Sequence, residues 1–154
     1  MSDLDEATLA VAAASRALVG VIASSYAPVR DKITASQVRV LLVLAGAGGP
    51  MRSGDMAERL GIHPSTFTRT ADRLVTAGWI RRTVNPENRR ESLISMTNTG
   101  SRLVGQIARR RDANIRRVLE RLTVAERSAV VTAMQTFAEA AGEPSFEDLL
   151  ALGM

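Results

Sequence analysis

Apolar positions spaced three and four residues apart divide most of the chain into amphipathic helices. Residues 4–25 place Leu4, Val11 and Leu18 at heptad-like spacing, which predicts one helix that stops before Pro28. Thr34 and Gln37 then have the spacing of a capping box, in which each side chain satisfies a free backbone N–H of the other residue. A second helix is therefore expected from about residue 34.

A short third helix follows the glycine-rich stretch 46–50, and Ser53 is placed to cap it. A fourth helix begins at His63, with Pro64 at the favoured first position, and runs to Gly78. The residues predicted to face inward from helices two to four are Val38, Leu41, Leu42, Ala45, Met56, Ala57, Leu60, Phe67, Ala71, Leu74 and Val75.

Residues 79–84 and 91–96 are β-prone runs joined by the turn-rich loop 85–90, which predicts a hairpin. A fifth helix is expected over 97–121, and Thr123 begins a second capping box that opens a last helix to Ala141. The order is α-α-α-α-β-β-α-α, a mostly α protein with a small β-hairpin. We expect one unit of 154 residues, with a central lobe at 34–100 and flanking helices at 1–27 and 101–154.

Composition excludes several function classes. The chain has no cysteine and one histidine, so neither a thiolate site nor a metal cluster can be assembled. No nucleophile–base pair or phosphate-cradling glycine loop is evident, and we predict no enzyme activity and no cofactor. The N-terminus opens with acidic residues, and the sequence has no uninterrupted run of about 18 apolar residues, so a cytoplasmic protein without a membrane segment is expected.

Charge is distributed unevenly. Nineteen of the twenty basic residues are arginine. Residues 52–91 carry a net charge of +3 and residues 92–127 a net charge of +5, whereas 1–31 carry −2 and 128–154 carry −4. A basic central segment between acidic ends is expected if the central segment binds a polyanion and the ends of two chains associate with each other.

Helix three, a glycine turn, a fourth helix with a polar face and an arginine-tipped hairpin have the layout of a winged helix-turn-helix. In that layout the fourth helix lies in the major groove of DNA, where Arg69 is suited to contact the O6 and N7 atoms of guanine. Asp72, one turn away, is expected to orient Arg69 and Arg73. His63 is expected to cap the helix or contact phosphate. The candidate DNA-binding residues are His63, Pro64, Ser65, Thr66, Thr68, Arg69, Arg73, Arg89 and Arg90.

Each element alone has a simpler interpretation. The polar face of 65–76 is also what a solvated helix surface shows, and Arg89 and Arg90 at a hairpin tip also favour solubility. Two other function classes remain as alternatives: a winged-helix module that binds protein, and one that coats DNA without sequence preference. The two elements in this order and spacing favour specific DNA binding, with the arginine-tipped hairpin in the minor groove.

A series of short motifs runs along the chain: TxxQ at 34–37, GDMAERLGI at 54–62, PSTFTR at 64–69, DRL at 72–74, GWIRR at 78–82, NPENRR at 85–90, MTxxG at 96–100 and LTxxE at 122–126. With these motifs the chain resembles the MarR family of transcription regulators over nearly its whole length, up to about Ala141. The resemblance implies a homodimer held by the terminal helices, double-stranded operator DNA as partner, and often a small anionic aromatic effector between the lobes. Release of a repressor by such an effector is the expected function.

Three further expectations concern particular positions. Where the family usually has an acidic residue before the paired wing arginines, this chain has Asn88, which leaves those arginines without the usual brace. Arg16, Tyr26 and Arg39 are candidate effector-binding residues, although packing alone would also place such residues on the first two helices. Residues 144–154 are expected to form a short helix that docks on the partner subunit.

Overall fold

A computed structural model describes residues 2–142. The helices are α1 (Asp3–Ser24), α2 (Ala35–Ala47), α3 (Ser53–Arg59), α4 (Pro64–Thr76), α5 (Asn98–Leu119) and α6 (Val124–Ala141), and the strands are β1 (Met51–Arg52), β2 (Ile80–Val84) and β3 (Ser92–Met96). The mostly α fold with a small β wing is confirmed, with one short strand, β1, in addition to the predicted elements. The segment 144–154 lies outside the described residues, so its docking on a partner stays a prediction.

Helix starts follow local side-chain chemistry. Thr34 accepts a hydrogen bond from the Gln37 N–H at 3.3 Å, and Gln37 Oε1 accepts one from the Thr34 N–H at 2.9 Å, so the first capping box is confirmed. Thr123 and Glu126 form the second one. The predicted cap at Ser53 is wrong: the capping position is Arg52, which makes no side-chain capping bond. The physical reason is that Arg52 still belongs to β1, so the helix begins directly after an extended residue.

The three strands form an antiparallel sheet in the order β1-β3-β2, with β3 in the centre. Ile80 pairs with Met96 and Val84 with Ser92, which sets the register of the hairpin. On the other side of β3, Arg52 pairs with Leu93. The hairpin is therefore hydrogen-bonded to β1, the strand between α2 and α3, and is not an isolated two-stranded hairpin.

The core lies beneath α4 and is built from α2, α3, α4 and the sheet. Phe67 and Leu74 are fully buried against this core, together with residues from the neighbouring elements. The largest fully buried side chains include Leu41, Met56, Ile80 and Ile94. Two inward predictions are wrong: Ala45 is exposed, and Val75 is 38% exposed. Val75 lies at the edge of the apolar face of α4, next to Thr76.

The start of α5 is tightly packed against the turn that follows α4. The Thr97 hydroxyl donates to the carbonyl oxygens of Gly78 and Trp79 at 2.7 and 3.0 Å, and its oxygen accepts from the Gly100 N–H at 3.1 Å. A Cβ added at Gly100 would overlap the Trp79 carbonyl oxygen. Only glycine fits there without a backbone shift, so Gly100 fixes how closely α5 approaches the base of the wing.

The terminal helices have few buried contacts within the chain. Neither α1 nor α6 contains a buried residue, and Phe137 on α6 is 55% exposed. Arg16 and several small polar residues interrupt the apolar positions of α1, yet by length and composition this helix is apolar enough to span a membrane, since its most apolar 18 residues have a mean hydropathy of 1.7. The lack of an uninterrupted apolar run in the sequence therefore gave no indication of the high mean hydropathy of α1. Length and composition alone do not distinguish a membrane segment from a helix that packs within an assembly.

Candidate nucleic-acid interface

His63 occupies the N-cap position of α4. Its Nδ1 accepts a hydrogen bond from the Ser65 N–H at 3.3 Å and lies 2.8 Å from the Ser65 hydroxyl. Because a backbone N–H only donates, Nδ1 is unprotonated in this arrangement, and a neutral ring then carries its hydrogen on Nε2. His63 therefore caps the helix with one nitrogen while the other remains a hydrogen-bond donor at the exposed end of α4.

The polar face of α4 is open to solvent. The exposed candidate residues at and on this helix are His63, Pro64, Ser65, Thr66, Thr68, Arg69 and Arg73. Within residues 2–142 the guanidinium groups of Arg69 and Arg73 make no hydrogen bond or ion pair. Phe67, Ala71 and Leu74 bury the opposite face. The helix is thus anchored on one side and presents two uncompensated cations on the other.

Several threonine hydroxyls on α4 are already used within the helix. Thr68 donates to the Pro64 carbonyl oxygen at 3.0 Å, and Thr76 donates to the Asp72 carbonyl oxygen at 2.9 Å. Donation to a carbonyl four residues earlier is a common way for a mid-helix threonine to satisfy its proton. In this conformation each hydroxyl retains only acceptor capacity, so Thr68 is suited to a base amino group rather than to a phosphate oxygen.

Asp72 pairs with a strand residue rather than with its own helix. Its carboxylate lies 2.9 Å from the Arg82 guanidinium on β2. The expectation that Asp72 orients Arg69 and Arg73 is therefore wrong. Helical spacing showed which arginines lie one turn away, but it could not show that the turn at Gly78 folds β2 back along α4.

The wing loop 85–91 is organised by two asparagines. The Asn85 side-chain oxygen accepts from the Glu87 N–H at 3.1 Å, and the Asn88 side-chain oxygen accepts from the Arg90 N–H at 3.2 Å. Asn88 thus holds the loop backbone and does not contact the arginine guanidinium groups. Arg89 and Arg90 are exposed, and in the described part of the chain their side chains make no hydrogen bond or ion pair.

Sequence reasoning placed Glu91 at the start of the second hairpin strand and missed its contacts with Asn85 and Arg52. Its Oε2 accepts from Asn85 Nδ2 at 3.1 Å and lies 3.5 Å from Arg52 Nε. A carboxylate is thus present at the end of the loop, although not at the position where the family usually has one. The sequence contains a signal for it, since Glu91 is the acidic residue that directly follows the paired arginines.

A cavity of about 300 Å³ lies between α1, the following turn and α2. Tyr26 and Arg39 line it, together with Arg30 and mostly aliphatic side chains, whereas Arg16 is not among the lining residues. Arg39 Nε is buried and has no hydrogen-bond partner within the part of the chain described. Burial raises the pKa of the Tyr26 phenol, an effect that the nearby Arg111 guanidinium partly opposes. The phenol is therefore neutral at physiological pH.

Metal chemistry finds no support in this region. Over residues 2–142, no group of three or more histidine or acidic side chains is placed to hold a metal ion. The chemistry that the arrangement offers is hydrogen bonding and ion pairing from arginine, threonine and one histidine, at the surface formed by α4 and the wing.

Comparison with known proteins gives consistent matches. Residues 33–92 match the model of the MarR family. The regulator YfiV of Bacillus subtilis is 27% identical over 104 residues, which is 68% of this chain and 64% of that protein, so the match spans somewhat less than two thirds of this relative.

Solved structures agree over a longer range. The crystal structure of RV1404 from Mycobacterium tuberculosis is 39% identical, with a TM-score of 0.80 over 93% of this chain and 97% of that one. A mutant of S. aureus MepR bound to an oligodeoxyribonucleotide shares the fold, with a TM-score of 0.72, 17% identity, and coverage of 88% of this chain and 97% of that one. Together with the α4 and wing geometry, these matches show that the chain belongs to the MarR family of winged-helix transcription regulators.

Proposed function

We propose that the protein binds a pseudo-palindromic DNA operator as a homodimer and represses transcription until a small effector releases it. The observation that carries the proposal is the set of exposed cations without internal partners on two adjacent elements of the described chain. Arg69 and Arg73 lie on α4, and Arg89 and Arg90 lie on the wing loop. Arginines at these places fit a major-groove contact by α4 and a minor-groove contact by the wing. We assign the face of His63, Pro64, Ser65, Thr66 and Thr68 to the same interface.

The proposed homodimer rests on the exposed apolar surfaces of the terminal helices. Leu9 and Val19 on α1 and Val131, Met134 and Phe137 on α6 are all more than two fifths exposed within one chain. Apolar residues of this size are costly to leave in water, so their exposure on both terminal helices favours burial at an interface. A second copy is the partner that supplies a matching apolar surface. Pairing of these helices would also bury the apolar residues of α1, as the proposed cytoplasmic protein without a membrane segment requires.

Selection of bound duplexes from a random pool tests this proposal most directly. We expect a palindromic motif whose half-sites lie about 10–10.5 base pairs apart, or a multiple of that spacing, because a two-fold dimer places its two recognition helices in that way. Insertion of about five base pairs between the half-sites should then abolish tight binding. The control is a duplex of the same length and random sequence. Equal affinity for both duplexes would instead support a module that coats DNA without sequence preference.

The proposed effector is a small anionic aromatic molecule bound in the cavity beside Tyr26 and Arg39. The support is chemical: an apolar lining suits a ring, and the unpartnered Arg39 Nε suits an acidic group. Benzoate should weaken operator binding more than the neutral, similarly sized benzamide does. Arg39→Gln should remove this difference, whereas Arg16→Gln, outside the cavity, should retain it. An equal response of parent and Arg39→Gln would exclude Arg39 from the site.

A further inference from the structure

Glu91 connects three parts of the DNA-binding lobe. Its backbone N–H donates to the Asn88 carbonyl oxygen at 2.9 Å, and its own carbonyl oxygen accepts from the Asn85 N–H at 3.0 Å, which closes the wing loop. Its side chain accepts from Asn85 Nδ2 at 3.1 Å. The same carboxylate oxygen lies 3.5 Å from Arg52 Nε on β1. Glu91, the last residue of the wing loop, thus contacts the first residue of the loop, its tip, and the segment that leads into α3.

The hydrogen bond to Asn85 is the costly one to lose. Asn85 is only 4% exposed, so its side-chain amide has little access to water. A buried amide without an acceptor carries the desolvation penalty of an unmade hydrogen bond. The Arg52–Glu91 pair, by contrast, is well exposed, and exposed ion pairs contribute little to global stability. We therefore expect that pair to orient the wing loop relative to β1 rather than to stabilise the fold.

We propose that Glu91 is a positioning residue that holds the wing loop in the orientation required for its arginines to enter the minor groove. The proposal rests on the DNA-binding function proposed above. In this chain, Glu91 with Asn85 and Arg52 orders the loop from its base, while Asn88 orders only the backbone at the tip. Glu91 acts through Arg89 and Arg90 and does not itself contact DNA.

The charge of Glu91 and its positioning role predict opposite effects of its removal on DNA affinity, which makes the proposal testable. Glu91 adds a negative charge beside a DNA-binding loop, so removal of that charge alone would tighten DNA binding. Loss of wing orientation would weaken it. The matched control is Glu87→Gln, which removes the same charge from the same loop at a side chain that makes no hydrogen bond or ion pair within residues 2–142.

The test measures operator affinity for Glu91→Ala, Glu91→Gln and Glu87→Gln by fluorescence anisotropy over a range of salt concentrations. Glu91→Ala should weaken binding about tenfold, as expected when a buried hydrogen bond and the wing contacts it supports are lost. Glu91→Gln, which keeps an acceptor for Asn85 but not the charge, should weaken it less. Glu87→Gln should bind as tightly as the parent or more tightly. A flatter salt dependence for Glu91→Ala would report lost phosphate contacts.

Amide hydrogen exchange on the free protein tests, without DNA, whether Glu91 braces the wing loop through Asn85 and Arg52. The Asn85 and Glu91 amides should exchange faster in Glu91→Ala than in the parent, while amides of α4 remain unchanged. If the parent fails to distinguish operator from random DNA, the proposed function is wrong, and the exchange result still decides whether the brace exists. Unchanged exchange at both amides, or binding by Glu91→Ala and Glu91→Gln that tightens as in Glu87→Gln, would overturn the proposal.

Discussion

The carboxylate of Asp72 on α4 lies 2.9 Å from the guanidinium of Arg82 on β2, so the recognition helix and the first wing strand share an ion pair. The Asp72 side chain is more than half exposed, and exposed pairs of this kind contribute about 0–1 kcal/mol to stability. The pair therefore contributes little to stability, but it connects the element proposed for the major groove with the element proposed for the minor groove.

We predict that Asp72→Ala lowers the ratio of specific to random DNA affinity while it changes the unfolding free energy by less than about 1 kcal/mol. Loss of a negative charge near DNA favours binding to any sequence, whereas loss of alignment affects only the operator. A double-mutant cycle with Arg82→Ala, measured by anisotropy on both duplexes, should be non-additive for the operator. Additive effects there would mean that the two side chains act independently.

Arg69→Ala is expected to relax base preference at one position in each half-site. Loss of a bidentate contact to guanine costs roughly 1–3 kcal/mol per half-site. The measurement is competition binding with operators substituted at single positions, and the control is random duplex. If Arg69→Ala loses the same affinity on operator and random DNA, Arg69 contacts only phosphate.

For the wing, Arg89→Ala should weaken binding without changing the selected major-groove motif, because minor-groove readout is largely degenerate. The check is affinity at low and high salt together with a repeat of the duplex selection. Arg16→Ala on α1, exposed and outside the cavity, provides a control for the loss of one positive charge away from the wing. Parent-like binding by Arg89→Ala at every salt concentration would show that the wing does not contact DNA.

Gly100→Ala should destabilise the fold by about 2–3 kcal/mol, since a Cβ there overlaps the Trp79 carbonyl oxygen and requires a backbone shift. Thermal or urea unfolding monitored by circular dichroism measures the change. Gly20→Ala is the matched control: nothing lies within 4 Å of its Cβ, and alanine in a helix is favoured by about 0.5–1 kcal/mol. Equal stability of Gly100→Ala and the parent would contradict the close packing of α5 on the Trp79 turn.

The capping box of α6 predicts a dependence of stability on pH. Hydrogen bonds from the backbone N–H and hydroxyl of Thr123 hold the pKa of the Glu126 carboxyl below its ordinary value. The stabilisation is therefore complete above the ordinary pKa of glutamate and is lost as the pH falls through the lowered value in the folded state. The melting temperature of Glu126→Gln, compared with the parent between about pH 6 and pH 3, should fall less steeply with acid. Parallel curves would contradict this linkage.

Helix positions were predictable because the signals are local. The spacing of Phe67, Ala71 and Leu74 defines the buried face of α4, and the Thr34–Gln37 box requires only four consecutive residues. The strand β1 was missed because two residues show no alternation of polar and apolar positions, and its extended shape depends on pairing with β3.

The contacts of the candidate site were less predictable than its location. The polar face of α4 and the arginines of the loop could be identified from the chain alone, but the Asp72–Arg82 and Arg52–Glu91 pairs join residues 10 and 39 positions apart. Such pairs depend on how the sheet folds back on the helices. Val75 illustrates the same limit: its spacing fits the buried face, yet the neighbouring elements do not reach far enough to cover it.

Few side chains could replace His63 at the N-cap of α4, because the position combines a hydrogen-bond acceptor with a donor. The side chain must present a lone pair inward to the Ser65 N–H, and in doing so it leaves an N–H bond directed away from the helix. An aspartate would preserve the cap, but it would replace this outward donor with negative charge close to the proposed phosphate path. A protonated imidazole would preserve the donor and lose the cap. Helix initiation therefore depends on an unprotonated Nδ1, and the outward donor is the hydrogen that the neutral ring then carries on Nε2.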